Sequence, residues 1–324
     1  MGDRDFRWQD GERLIRFGRG ALADAPDLLG DGYVLLTTER ALASAPVLAE
    51  RAAAVHQVAA APVDDAAAAL RDAVEGELLV ALGGGRVIDV AKALAAADPP
   101  RRAAAVPTTL SAAEMTSLHR HAAGVSPETP RVRAAIILND PALSASQPEA
   151  DLAASAGNAL AHAAEAPATV LANPVATLAA LEGARLLVEG LAGAQPDRDG
   201  LALGALLAGY AADSAIYGLH HVMAQTLVRE AGAGHGPANV TLLPYTLPAL
   251  ERRAPEAMRR VDDVVGDAAS RLRERSGLAG VRDLGLEHEA LAACADAAAQ
   301  RPELDLTPPR ATREEILEIY EAAW

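Results

Sequence analysis

The chain has 324 residues, 51% of them hydrophobic, a net charge of −15 at pH 7 and one cysteine. That length favours two domains, and the charge excludes nucleic acid and anionic membrane surfaces as partners, since both would repel it. The lone Cys294 excludes an internal disulfide or a cysteine-built zinc site and points to a reducing cytoplasm.

The opening MGDRDFRWQD is charged, with no apolar targeting core, and no stretch reaches 18 uninterrupted apolar residues. A cytoplasmic protein without a membrane span is expected. With two Trp, five Tyr and two Phe, its cores must be filled by Ala, Leu and Val. Lys92 is the only lysine, so any site needing an amine has one candidate.

Short apolar runs then alternate with helical patterns. YVLLTT from Tyr33, VHQVAAA from Val55, ELLVALGGG from Glu77, AAAVPTT from Ala103 and RAAIIL from Arg133 read as strands. ERALASAPVLAERAA, DDAAAALRDAV and RVIDVAKALAAA between them read as helices. This alternation predicts a parallel sheet covered by helices, with a ligand at the carboxyl ends of the strands. DPPRR at Asp98 and SPETP at Ser126 are surface loops. After Pro148 the pattern changes to long Ala/Leu segments at 151–165, 175–191, 201–230, 255–276 and 286–300, and only short pieces such as VTLLP at Val240 read as extended. Thr312 and Glu315 form a capping box before the last helix. The prediction is an α/β nucleotide-binding domain over 1–148 and an all-α domain over 149–324.

Two stretches carry chemistry. In LLVALGGGRVIDVAKAL a strand, three glycines and a helix follow one another, so Gly83, Gly84 and Gly85 permit positive φ and close backbone approach at a helix N-terminus. A pyrophosphate suits that geometry, and a tight turn without a ligand is the alternative. Thr108, Thr109, Ser111 and Thr116 follow one strand later and bring hydroxyls to the same side. In SAGNALAHAAEA, Asn158 and His162 share a helix face, about 5 to 6 Å apart at Cβ. They can share a ligand, a metal ion or only a hydrogen bond.

GGGRVIDVAKA followed by VPTTLSAAEMT resembles the iron-containing alcohol dehydrogenase superfamily, whose members carry GGGSxxDxAK and then PTTxxxSE. DPALSASQPEADLAASAGNALAHAAEA, LANPV, GLHHVMA, GHGPANVTLLPY and PPRATREEILEIYEAAW follow in the family order. The resemblance spans nearly the whole chain and leans to the maleylacetate reductase branch. It implies the dehydroquinate synthase-like fold, with a site in the cleft between an α/β and a helical domain, and a homodimer. It also implies that Glu39, Gly83, Gly84, Gly85, Arg86, Asp89, Thr108, Thr109 and Thr116 bind the cofactor. NAD(H) is favoured over NADP(H), because a carboxylate at Glu39 accepts from a ribose 2′-OH and repels a 2′-phosphate.

Asn158, His162, His221 and His235 correspond to the aspartate and three histidines that hold a metal in metal-dependent members. The resemblance gives maleylacetate reductases an Asn there as well. A neutral amide is a weak ligand, so no tightly bound metal is expected. The catalytic candidates are then His221, His235, His162 and Asn158, polarising a carbonyl or delivering a proton during hydride transfer to a small carbonyl compound. For maleylacetate, reduced to 3-oxoadipate, the two carboxylates call for cations. Arg86, Arg131, Arg133, His119 and His121 are candidates, although each arginine also reads as a solvated surface charge. Arg86 stands where the family has serine, and Gln225 where most members have another histidine. Two alternatives remain: an iron- or zinc-dependent alcohol dehydrogenase tolerating Asn158, and a nucleotide-binding protein without turnover.

Overall fold

The computed structural model describes residues 4–324, so Met1, Gly2 and Asp3 of the charged opening lie outside the described residues. Two compact units divide the chain, Met1–Gln147 and Pro148–Trp324.

The first unit runs β1 (Phe6–Asp10), β2 (Arg13–Phe17), α1 (Ala25–Leu29), β3 (Tyr33–Thr37), α2 (Glu39–Ser44), α3 (Val47–Glu50), β4 (Ala52–Gln57), α4 (Val63–Arg71), β5 (Leu78–Gly83), α5 (Gly85–Ala97), β6 (Arg102–Pro107) and β7 (Ile136–Asn139). Its sheet has the order β1-β2-β7-β6-β5-β3-β4. Only the β1–β2 pair is antiparallel; every other neighbouring pair is parallel. The central strands read as near-continuous apolar runs because helices cover both faces. Leu35, Val80, Leu82, Val106 and Leu138 are buried in one core with Ala21, Ala41 and Leu48.

Two features depart from the sequence reading. The hairpin β1–β2 is additional: Asp10 pairs with Arg13, leaving Gly11 at φ +58° and Glu12 as a two-residue turn. A glycine opening such a turn is a hairpin signal, here masked by the charged strands around it. ERALASAPVLAERAA forms two short helices, since Pro46 interrupts the backbone bonding between them.

The second unit is helical: α6 (Glu149–Glu165), α7 (Pro174–Gly190), α8 (Arg198–Ala215), α9 (Leu219–Ala231), α10 (His235–Arg253), α11 (Pro255–Val265), α12 (Ala268–Arg275), α13 (Ala290–Ala299) and α14 (Arg313–Ala322). The segment read as one helix over 201–230 breaks at Ile216, a β-branched residue at φ +59°, and α8 and α9 meet there at 101°. VTLLP is not extended; it lies inside α10, where tertiary packing overrides the β preference of its branched residues. A Cβ on Gly157 of α6 would stand 2.5 Å from Val240 Cγ2, so the glycine lets α10 come this close. Thr312 caps α14 by accepting from the Glu315 N–H at 3.2 Å, but the Glu315 carboxylate does not close the box. It turns instead to Arg253 at 2.6 Å and Arg252 at 3.0 Å. Among the described residues no single helix is long and apolar enough to cross a membrane.

Candidate active site

In the first unit the parallel register puts the carboxyl ends of β3, β5 and β6 on one edge, with Thr37 opposite Leu82 and Gly83 opposite Pro107. The chain passes from β3 outward to β4 and returns to β5 on β3's other side, a switch point of the kind that opens a ligand crevice. Gly83, Gly84 and Gly85 lie there, but none has positive φ; Gly84 is extended at φ −82°, ψ −174°. Space is what requires them. A Cβ on Gly84 would meet Thr109 Oγ1 at 3.0 Å, and one on Gly85 would meet Ser111 Cβ at 3.0 Å. No side chain caps α5, so its first N–H groups stay available to an anion. Arg86 is exposed in that first turn. Thr108 N donates to Gly83 O at 2.9 Å, and the buried Thr108 Oγ1 has no hydrogen-bond partner. Glu39 is exposed at the first position of α2, directly after β3. The geometry fits a dinucleotide: glycine backbone and helix N–H groups for the pyrophosphate, and a carboxylate just beyond the neighbouring strand for a ribose.

Asp89 and Thr116 both meet Lys92. Lys92, fully buried, donates to Ala113 O and Thr116 O at 2.9 Å each and pairs with Asp89 Oδ1 at 2.8 Å. Two hydrogen bonds and an ion pair therefore clamp the segment around Thr116 onto α5. The only lysine is a structural staple. Beside it lies Glu114, which the sequence reading did not single out; burial pushes its carboxyl up to about 7, and Asn139 Nδ2 donates to it at 3.4 Å.

The cations expected for substrate carboxylates are mostly elsewhere. His119 is saturated by backbone, with Nδ1 at 2.8 Å from Arg120 O and Nε2 accepting from Val132 N at 3.1 Å. Burial holds its pKa down to about 3, so it is neutral. His121 packs edge-on to it with ring centroids 5.8 Å apart. Arg131 and Arg133 line a recess of about 600 Å³ with Arg101 and Arg102. Arg102 opens β6 opposite Leu78, and the strand rise puts that edge about 17 Å from the glycine turn. Of the three arginines, Arg86 is the one on the carboxyl edge.

In the second unit Asn158 and His162 stand one turn apart on α6, and Asn158 is buried. The His162 ring stacks on His221 with centroids 3.9 Å apart and planes at 16°. A residue missed in the sequence organises this pair: Glu165, the last of α6, is buried, and its Oε2 lies 2.7 Å from His221 Nδ1. Glu165 also accepts from His220 N at 2.7 Å and His221 N at 3.3 Å. Its spacing was a legible signal, since Asn158, His162 and Glu165 at i, i+4 and i+7 line one helix face.

His220 ties α9 to α10 through Thr246 Oγ1 at 2.7 Å and Asn239 Oδ1 at 3.0 Å. Asn239 Nδ2 in turn donates to His235 O at 2.8 Å, fixing the start of α10, where His235 itself is exposed. Burial holds His162 and His221 well below the usual histidine range, and neighbouring imidazoles lower them further. Burial raises Glu165, opposed by His220 and the backbone N–H bonds. His162 Nδ1 and His221 Nε2 are buried without hydrogen-bond partners. Among the described residues no three His, Cys, Asp or Glu gather as a metal-binding group.

Gln225 belongs to a neighbouring network. Its Oε1 accepts from Tyr217 OH at 3.4 Å and Arg301 Nη2 at 3.1 Å, and the Tyr217 ring lies 5.7 Å from that of His221. Arg301 pairs with Glu303 at 2.8 Å while its buried Nη1 has no hydrogen-bond partner. The loop carrying Arg301 has no motif, so only the fold brings it here.

Comparison with known proteins agrees with this architecture. Residues 152–324 match the family model described as "Fe-containing alcohol dehydrogenase family, C-terminal", and residues 33–125 match "Iron-containing alcohol dehydrogenase". The chain is 33% identical to maleylacetate reductase 1 of Rhodococcus opacus over 81% of its own length and 77% of that protein's. It is 30% identical to the maleylacetate reductase of Sphingobium indicum, covering 95% and 94% of the two chains. The crystal structure of maleylacetate reductase from a Rhizobium species superposes with a TM-score of 0.81 at 27% identity, covering 100% of this chain and 99% of that one.

Proposed function

The chain belongs to the iron-containing alcohol dehydrogenase family, and on that premise we propose that it reduces a small dicarboxylate enone with NADH, converting maleylacetate to 3-oxoadipate. The observation that carries the reading is Asn158 beside the stacked imidazoles, in a cluster whose one carboxylate, Glu165, faces Nδ1 of His221. The likeness to maleylacetate reductases supplies the substrate, and Glu39 at the end of β3 favours NADH over NADPH.

A divalent ion does not fit this donor set. The Asn158 oxygen is neutral, and the His162 and His221 rings are stacked on each other with planes at 16°. Side chains then carry the polar chemistry. A bound NADH supplies the hydride, which adds to the alkene carbon beta to the ketone. The chain must receive the negative charge that grows on the ketone oxygen and provide one proton to the adjacent carbon. The Asn158 amide and His235 are the donors toward that oxygen. His221 Nε2 accepts a hydrogen bond and holds the water that passes the proton on, and the exposed His235 exchanges protons with solvent. Arg301, with Nη1 unfilled, anchors a substrate carboxylate.

The test is NADH oxidation in the presence of maleylacetate, with product identification. Formation of 3-oxoadipate is expected. NADH binding without turnover on any carbonyl acid contradicts the reading. A second reading, a metal-dependent alcohol dehydrogenase, is favoured by the carboxylate held on the outer nitrogen of His221, an arrangement common among metal-bound histidines. Stoichiometric iron or zinc, with activity lost on chelation, would select it.

A further inference from the structure

Among the described residues, Glu165 is the one carboxylate paired with these imidazoles, and its hydrogen bonds go to the start of α9. Oε1 takes the His220 N–H at 2.7 Å; Oε2 takes the His221 N–H at 3.3 Å and faces His221 Nδ1 at 2.7 Å. Gly218, the residue preceding α9, offers no side-chain cap. Glu165 therefore takes the place of the missing cap, reaching across from α6 to satisfy N–H groups that a helix start leaves open. His162 is three residues earlier on the same face of α6. One helix thus holds His221 twice, by ring stacking at His162 and by a hydrogen bond at Glu165.

We propose that Glu165 is a positioning residue: it fixes His221 as the tautomer protonated at Nδ1, so that Nε2 presents a lone pair to the reaction site. The tautomer of a histidine is set by the hydrogen bond its other nitrogen makes. With backbone N–H groups already donating to both Glu165 oxygens, the carboxylate needs no proton of its own, and Nδ1 must be the donor. His221 then enters the reaction as an acceptor and never as the first proton donor. That assigns proton delivery to the exposed His235. The tautomer assignment holds whether or not a metal binds; its catalytic consequence rests on the function proposed above.

The experiment reads the tautomer directly in ¹⁵N-histidine-labelled, substrate-free protein at pH 7.5, using long-range ¹H–¹⁵N correlation. The His221 signals are identified by their loss in His221→Ala. Nδ1 protonated and Nε2 bare in the wild type is expected. In Glu165→Leu the proton moves to Nε2, and kcat for NADH oxidation falls about tenfold or more while the KM for NADH stays within about twofold. Glu165→Gln, which keeps the volume and one acceptor oxygen, restores part of both. Wild-type His221 protonated at Nε2 overturns the proposal even if Glu165→Leu does not fold. An unchanged tautomer in a folded Glu165→Leu overturns it too. Because the spectrum needs no turnover, failure on maleylacetate would remove the substrate reading while leaving this result standing.

Discussion

The glycine turn of the first unit and the histidine cluster of the second are built on opposite principles. The turn is a site of absences: Gly84 and Gly85 leave room against Thr109 and Ser111, and the N-cap of α5 has no side chain. The cluster is a site of interlocked side chains, in which Glu165, His220, Asn239 and Thr246 hold His221 and the start of α10 in place. A ligand at the first meets a preformed shape, and a substrate at the second meets fixed protons and lone pairs. Damage to the turn should therefore appear in binding, and damage to the cluster in turnover.

The largest effect separates the two. His221→Ala should lower kcat by about 100-fold or more, the scale of a lost acid–base group, and leave the NADH dissociation constant unchanged when titrated by fluorescence. Weaker NADH binding in this variant would break the distinction. Arg301→Gln should raise the KM for a dicarboxylate about tenfold or more, as expected for a lost charged hydrogen bond, with kcat within a few-fold. An equal fall in kcat would move Arg301 from anchoring to chemistry.

Gly84→Ala should act in the reverse sense to His221→Ala. Its new methyl would stand 3.0 Å from Thr109 Oγ1, so NADH affinity should fall roughly fivefold, about 1 kcal/mol, with kcat at saturating NADH preserved. The last effect falls on stability and not on activity, away from both sites. Glu114 titrates near 7 in the fold against 4.5 when exposed, so between those values the folded state binds more protons than the unfolded one. Stability therefore falls as pH rises from about 4.5 to about 7 and is level above. Glu114→Gln should abolish that slope and be more stable at pH 8 by on the order of 1 to 3 kcal/mol, read as a thermal midpoint at pH 5.5 and pH 8.

The same contrast explains what was legible in the sequence. Strand–glycine–helix is local, so β5, the turn and α5 could be placed from consecutive residues, although the need for the glycines is space and not positive φ. Asn158 and His162 could be paired by helical spacing. The partners that give them meaning lie far along the chain, with Glu165 against His221 and Arg301 against Gln225, and no local pattern encodes those contacts. The arginines misled for a related reason: charge says nothing about which end of a strand it occupies, and Arg131 and Arg133 sit with Arg102 at the amino edge. VTLLP was misread because Val240 is chosen for its fit against Gly157 of α6, a constraint invisible in its own neighbours.

On the function proposed above, this cluster works with protons and hydrogen bonds from side chains alone. The most direct measurement is the rate of NADH oxidation with maleylacetate by protein dialysed against a chelator and shown by mass spectrometry to carry no iron or zinc. Undiminished turnover to 3-oxoadipate is expected; a rate that vanishes on stripping and returns with added iron or zinc would contradict it.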